Sequence, residues 1–352
     1  MNLDEYIEKH DQDLHQFIVE YLPQHYNKEN LVSLTNTAFN PSNIDAINHS
    51  ILSPIKELLS RGSKKYRSYI YLLLSETLNN QIAPNYDFVI LIEFLHAATL
   101  MLDDIEDSSQ SRRGKACIHQ LFGPEITLNA SCALLYLPLS ILDNYTDSVL
   151  KCEVYELYRR TMLNMSIGQA LDLSRNKSDI AMSEADYLDV CKMKTGSLFA
   201  LATALASLHA KTTLAVRQKL HSFGEALGTA FQIQDDLLNL TASSNAGQFT
   251  SEYIGSDIGE GKKTLPYLYT VKNASDADKT MLQDIYKNRM VDKSSLETVL
   301  ALFTKYNAIN YSSQVAQKLI ENAWFDVKTV LPDVFIKKTV QELVFRIVNR
   351  AI

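Results

Sequence analysis

Two pairs of adjacent aspartates break into otherwise apolar sequence, Asp103-Asp104-Ile105-Glu106-Asp107 and Asp235-Asp236-Leu237-Leu238-Asn239. Both stretches have helical spacing, and a core helix has no use for neighbouring acids. On a helix, Asp103 and Asp107 stand one turn apart on one face, their carboxylates roughly 6 Å apart along the axis. Such a pair repels itself unless cations sit between the oxygens. All-oxygen donors at this spacing suit magnesium, which takes its remaining ligands from water and substrate phosphate. Five residues beyond Asp107 come Arg112-Arg113-Gly114. Arginine forks match phosphate oxygens, and glycine lets the backbone turn or approach closely. The chemistry predicted is that of a magnesium–diphosphate site.

The elements that must hold these residues are helices. Residues 3–22 place Leu3, Tyr6, Ile7, Leu14, Phe17 and Ile18 at helical spacing, and 28–50, rich in Asn and Ser, read as short helices and turns. Helical patterns then cover 51–60, 66–80, 85–108, 125–143, 149–174, 183–208, 212–242, 264–273, 276–287, 293–306, 309–330 and 336–350. Breaks fall at Arg61-Gly62-Ser63, between Asn80 and Pro84, at Gly114, at Gly123-Pro124 and through 241–263. No period-two run reads as a strand. The expectation is one all-α domain over 1–352: N-terminal helices in 1–50, a helical bundle carrying the acids in 51–270, and a C-terminal helical layer in 271–352.

Composition narrows the class. The 352 residues contain only 11 Gly and 8 Pro, which argues against a loop-rich or all-β fold. A formal net charge of −7 gives no reason to expect nucleic acid or an anionic membrane as partner. Cys117, Cys132, Cys152 and Cys191 are widely spaced with no CxxC unit, so reduced thiols in a cytoplasmic protein are expected rather than disulfides or zinc. The first residues, MNLDEYIEKHDQDLHQF, are too charged for a secretory segment, and no run of about 18 apolar residues predicts a transmembrane helix.

The acidic stretches and their neighbours resemble the trans-isoprenyl diphosphate synthases, the head-to-tail prenyltransferases, and among these are most like geranylgeranyl diphosphate synthases. DDIEDSSQSRRG at 103–114 matches the family's DDxxD followed by RRG, and FQIQDDLLN at 231–239 is similar to FQxxDDxxD with Asn239 in place of the last acid. Gly62-Ser63-Lys64-Lys65-Tyr66-Arg67-Ser68 resembles GGKRxRP, with Ser63 for the second glycine and Ser68 for proline. Lys194-Thr195-Gly196 matches the KT(G) element, and Gly261-Lys262 stands where GK follows the second acidic motif. The motifs occur in family order across roughly residues 50–350, five of them together.

The resemblance implies an isoprenoid synthase-type bundle around a central cavity and assigns roles residue by residue. Asp103, Asp107 and Asp235 would hold magnesium, about three ions per site, against an allylic diphosphate, with Asp104, Asp236 and Asn239 orienting or supplementing that set. Arg112, Lys194 and Lys262 would neutralise the same diphosphate, while Lys64, Arg67, His96 and Arg113 would bind isopentenyl diphosphate without metal. Thr195 and Gln232 would present oxygen dipoles to the allylic cation, making them, with Lys194, the catalytic side chains. Gln169 and Asp172 read either as partners of Lys194 or as an ordinary polar helix face. Ala98 and Thr99, small residues just before the acids, leave the floor of a hydrocarbon tunnel open and favour a C20 product over a C15 one. Family members are usually homodimers, and an apolar helical face within 85–143 could serve as the interface. Two rivals share these features: a class I terpene synthase, which needs only one diphosphate site, and a non-catalytic regulatory subunit of a heteromeric synthase. A ferritin-like di-iron bundle would need Glu and Glu-x-x-His pairs on facing helices, which do not occur.

Overall fold

In the computed structural model, which describes residues 2–79, 81–83, 85–176, 182–241, 255–289, 292–332 and 336–348, the helical periodicity becomes helices almost throughout. The fold is all-α. Among the described residues the only strands are Ser111–Arg112 and Lys115–Ala116, an antiparallel pair of two residues each. Internal contacts divide the chain into two compact units, Met1–Tyr158 and Arg159–Ile352, and the division expected near residue 270 falls inside the second.

The first unit is built around the helix Tyr86–Glu106. Asn85 starts it, its side-chain oxygen accepting from the Asp87 N–H at 3.0 Å, which satisfies one of the unpaired donors of the first turn. Every residue from Phe88 to Leu95 is buried, so the middle of this helix is enclosed on all sides, and its charged cluster emerges at the C-terminal end. The Leu3–Glu20, Ser53–Leu59, Tyr66–Leu78 and Pro124–Tyr136 helices pack against it. The helix expected over 125–143 changes character at Leu137–Asn144, where Pro138 removes a backbone donor and the chain tightens into a 3₁₀ turn. Pro124–Asn144, 21 residues, contains an 18-residue window of mean hydropathy 1.4, which passes a length-and-composition test for crossing a bilayer that the core helices of soluble proteins also pass. It packs on Tyr86–Glu106 while leaving Leu128 and Tyr136 exposed.

In the second unit, Leu214–Thr241 packs against Ser197–His209 on one side and Ala308–Val327 on another, with Ile336–Val348 on both long helices. Twelve of the thirteen residues of Ser197–His209 are buried. The single helix expected over 183–208 is in fact Glu184–Cys191, a π-helical turn at Lys192–Gly196, and Ser197–His209. The turn is where three backbones crowd together. A Cβ on Gly168 would lie 2.5 Å from the Lys194 nitrogen, and one on Gly228 would lie 2.6 Å from the Gly196 Cα. Only glycine permits that approach, and a wide turn at a functional segment is a recurrent device.

Candidate active site

Asp103, Asp104 and Asp107 sit in the last turn of Tyr86–Glu106 and at its C-cap, the end where the helix dipole is already negative. Three carboxylates there need cations. Arg112 supplies one: its Nε and Nη2 donate to Asp104 Oδ1 at 2.8 and 2.5 Å, and Nη2 lies 3.9 Å from Asp103 Oδ2. Asp104 is buried, and burial raises its carboxyl above the usual range while Arg112 pulls it down. Its Oδ2 has no hydrogen-bond partner among the described residues, an acid only partly compensated. Asp103 and Asp107 are half-buried, with the Asp107 N–H bonded to the Asp103 carbonyl at 2.9 Å.

The basic residues of this unit gather nearby. Arg113 and Gly114 take left-handed φ of 55° and 74° and turn the short strand pair on itself. His96 is half-buried, and Arg67 Nη1 donates to its Nε2 at 3.3 Å. Burial first, then the charges of Arg67, Arg113 and Arg112, hold the imidazole well below its ordinary pKa, so it is neutral. Lys64 is exposed, whereas Lys65 is buried and paired with Asp11 at 2.8 Å. Ala98 is fully buried, and Thr99 Oγ1 donates to the His96 carbonyl at 2.9 Å.

Sequence reasoning passed over Glu93. It is buried three residues before His96, accepts a short hydrogen bond from the Ser68 hydroxyl, and its charge offsets the cost of burying Arg113. A small cavity lined by Ser63, Lys65, Glu93, Ala97 and Arg113, among others, lies here. A lone Glu inside the apolar run VILIEFL was the available signal.

The second unit joins its residues in a chain. Thr195 Oγ1 donates to Gln232 Oε1 at 2.6 Å, Gln232 Nε2 donates to Asp236 Oδ1 at 2.9 Å, and the Tyr187 hydroxyl donates to Asp236 Oδ2 at 2.6 Å. The Gln232 carbonyl oxygen is thus engaged by Thr195. Lys194 Nζ pairs with Asp172 Oδ2 at 2.9 Å, and Asp235 lies on the same helix as Gln232 and Asp236. Asn239 Nδ2 donates to Ser256 Oγ at 2.7 Å and its Oδ1 accepts from the Asp257 N–H at 3.3 Å, tying the amide to the Ser256–Glu260 helix. Lys262 stands 3.8 Å from Asp257 Oδ1 and in close ion contact with Glu260. Residues 242–254 of the loop lie outside those described.

Asp257 and Tyr187 were also missed. Asp257 is half-buried, and burial with the charges of Asp236, Asp235 and Asp172 raises its carboxyl well above the usual range against the pull of Lys262. Asp236 is raised for the same reasons, burial first, with Asp235 adding to the shift. An acid between glycines just before Gly261-Lys262 was the sign of the first. Nothing but its position seven residues before Lys194 marked the second.

The donors fit a hard divalent cation. They are carboxylates, placed at a helix C-terminus in one unit and raised by burial, with neighbouring aspartates adding to it, in the other. Among the described residues no three His, Cys, Asp or Glu side chains converge as a closed metal cage. A few carboxylates with open positions is the arrangement magnesium takes beside phosphate.

Comparison with known proteins gives the same class. The polyprenyl synthetase family matches residues 48–303. The chain is 29% identical over 271 residues to geranylgeranyl diphosphate synthase of Sulfolobus acidocaldarius, covering 76% of this chain and 80% of that one. It is 30% identical over 278 residues to octaprenyl diphosphate synthase of Escherichia coli, covering 78% and 82%. The crystal structure of a polyprenyl synthase from Caulobacter crescentus complexed with calcium and isoprenyl diphosphate superposes with a TM-score of 0.78 at 22% identity, over 99% of this chain and 97% of that one. The last shows a shared fold. The chain belongs to the polyprenyl synthetase family. It is a prenyltransferase enzyme.

Proposed function

We propose that this enzyme condenses isopentenyl diphosphate head-to-tail with an allylic diphosphate (dimethylallyl, geranyl or farnesyl) and releases geranylgeranyl diphosphate. The observation that carries the reading is the pairing of Arg67 with a neutral His96 beside Arg113, a basic group that owes nothing to metal. A terpene synthase, with one diphosphate to bind, has no need of it.

Lys64, Arg67, His96 and Arg113 bind the isopentenyl diphosphate. Asp103, Asp107 and Asp235 would hold magnesium, about three ions per site, with Asp104, Asp236 and Asn239 fixing their surroundings. Magnesium, when bound, supplies positive charge that makes the allylic diphosphate a better leaving group. Arg112, Lys194 and Lys262 neutralise the departing oxygens, and Asp172 orients Lys194. Thr195 and Gln232 turn oxygen dipoles toward the allylic carbon as its C–O bond breaks. The isopentenyl double bond then attacks that carbon, and a proton leaves to a diphosphate oxygen.

Product length is read from Ala98 and Thr99, which put little bulk before the acids. Relatives include both geranylgeranyl and octaprenyl synthases, so this position is tested directly. Purified protein is incubated with magnesium, isopentenyl diphosphate and each allylic starter, and the products are sized. A C20 product is expected, and Ala98→Phe should shorten it. A ladder running to C40 would replace the C20 assignment. Cyclised product without consumption of isopentenyl diphosphate would favour a terpene synthase, and no turnover by the isolated chain a regulatory subunit. Leu128 and Tyr136, exposed on the Pro124–Tyr136 helix, support a homodimer interface within 85–143, and four free cysteines support a reducing, cytoplasmic setting.

A further inference from the structure

Arg61 has no part in the chemistry above, yet none of its side chain is exposed. Nε donates to Glu57 Oε1 at 3.2 Å, one turn back on Ser53–Leu59. Nη1 donates to the main-chain carbonyl of Arg112 at 3.2 Å, across 51 residues of sequence. Nη2 lies 3.2 Å from the same Glu57 oxygen but is not aligned as a hydrogen bond. Enclosing a guanidinium is costly, and an apolar side chain would pack the same space with less penalty. What an apolar side chain could not do is grip a carbonyl on another segment.

The segment gripped cannot hold itself. Two residue pairs, Ser111 with Ala116 and Arg112 with Lys115, form the whole ribbon, and its turn uses two left-handed residues. An isolated hairpin of this length has little stability of its own. Among the described residues its outside fastenings include Arg112 to Asp104, Arg113 Nη1 to the Leu58 carbonyl at 3.3 Å, Lys115 Nζ at 3.8 Å from Glu57 Oε1, and Arg61 to the Arg112 carbonyl. Of these, the Arg61 contact reaches the Arg112 main chain and leaves both arginine forks unused.

We propose that Arg61 is a positioning residue that fixes the Arg112-Arg113 main chain and so aims both forks at diphosphate. This rests on the reading of those arginines as diphosphate ligands. Without Arg61 the two charges persist, but their geometry loosens, and bidentate recognition depends on geometry.

The test compares wild type, Arg61→Met, Arg61→Lys and Arg113→Ala as full chains, measuring isopentenyl diphosphate binding by calorimetry, KM and kcat, and melting temperature. Arg61→Met is expected to raise KM for isopentenyl diphosphate about tenfold and lower kcat by less. Arg61→Lys keeps the charge but cannot bridge Glu57 and Arg112 together, so an intermediate KM at wild-type melting temperature is expected. Unchanged binding in Arg113→Ala would remove the arginines as ligands and sink the underlying reading. Weakened binding in Arg113→Ala with wild-type KM in Arg61→Lys and Arg61→Met would overturn the role of Arg61 alone. Should Arg61→Met fail to fold, the KM of Arg61→Lys decides: raised supports the proposal, unchanged refutes it.

Discussion

The two units carry the same motif, a pair of adjacent aspartates on a helix, in opposite electrostatic settings. In the first, Asp103 and Asp104 lie against Arg112 and the charge of Glu93 acts on Arg113, and the most buried acid is already gripped by Arg112. In the second, Asp172, Asp235, Asp236, Asp257 and Glu260 share Lys194 and Lys262. The pKa directions follow: burial and then the surrounding arginines lower His96, whereas burial first, with Asp235 acting on Asp236 and Asp236, Asp235 and Asp172 acting on Asp257, raises the two acids. One region therefore already sets arginine against its most buried acid, and the other carries more acid than base. A uniform reading of the two aspartate motifs would miss that contrast.

The contrast can be broken most severely at the first acidic pair. Asp103→Ala should cut turnover by roughly 10³-fold or more, because on the proposed reading it removes a magnesium ligand. Its melting temperature should stay within a few degrees of wild type; turnover near wild type would take Asp103 out of the site. A smaller effect is expected where the second unit depends on a hydrogen bond rather than a ligand. Tyr187→Phe leaves Asp236 buried with one partner fewer, and should lower kcat about tenfold while raising the magnesium needed for half-maximal rate. Equal magnesium dependence in the two proteins would reduce Tyr187 to packing.

The smallest effect sharpens the other side of the comparison. His96 has a folded pKa depressed below about 6.5, so the unfolded chain binds its proton first as pH falls. Its contribution to stability is complete above about 6.5 and is lost as pH drops toward the folded value. His96→Gln, which does not titrate, should flatten the fall of melting temperature between pH 6.5 and 5. Parallel slopes in both proteins would show that the imidazole is not held neutral.

Much of this arrangement could be read from the residues. The helical period located the Tyr86–Glu106 helix to within two residues at either end, because an apolar run capped by Asn85 has little alternative. Spacing also marked both aspartate pairs and the Arg112-Arg113 turn. What escaped was set by packing between segments distant in the chain. The π-helical turn at Lys192–Gly196 arises from glycines at 168 and 228 meeting its backbone, which no local pattern encodes. Glu93, Arg61 and Tyr187 look like strays in a helix until their partners, Ser68, the Arg112 carbonyl and Asp236, are brought to them by the fold. Asn239 stood out only as a replacement for the last acid of its motif, while its amide is tied to Ser256 and Asp257.

The central claim is that this enzyme binds one diphosphate with side chains alone and another only with metal. Calorimetric titration of the purified protein with isopentenyl diphosphate and, separately, with a non-reactive allylic diphosphate analogue, each in magnesium and in EDTA, tests it directly. Isopentenyl diphosphate should bind equally in both buffers, and the allylic analogue only in magnesium. A requirement for magnesium in the first titration, or indifference to EDTA in the second, would contradict the account.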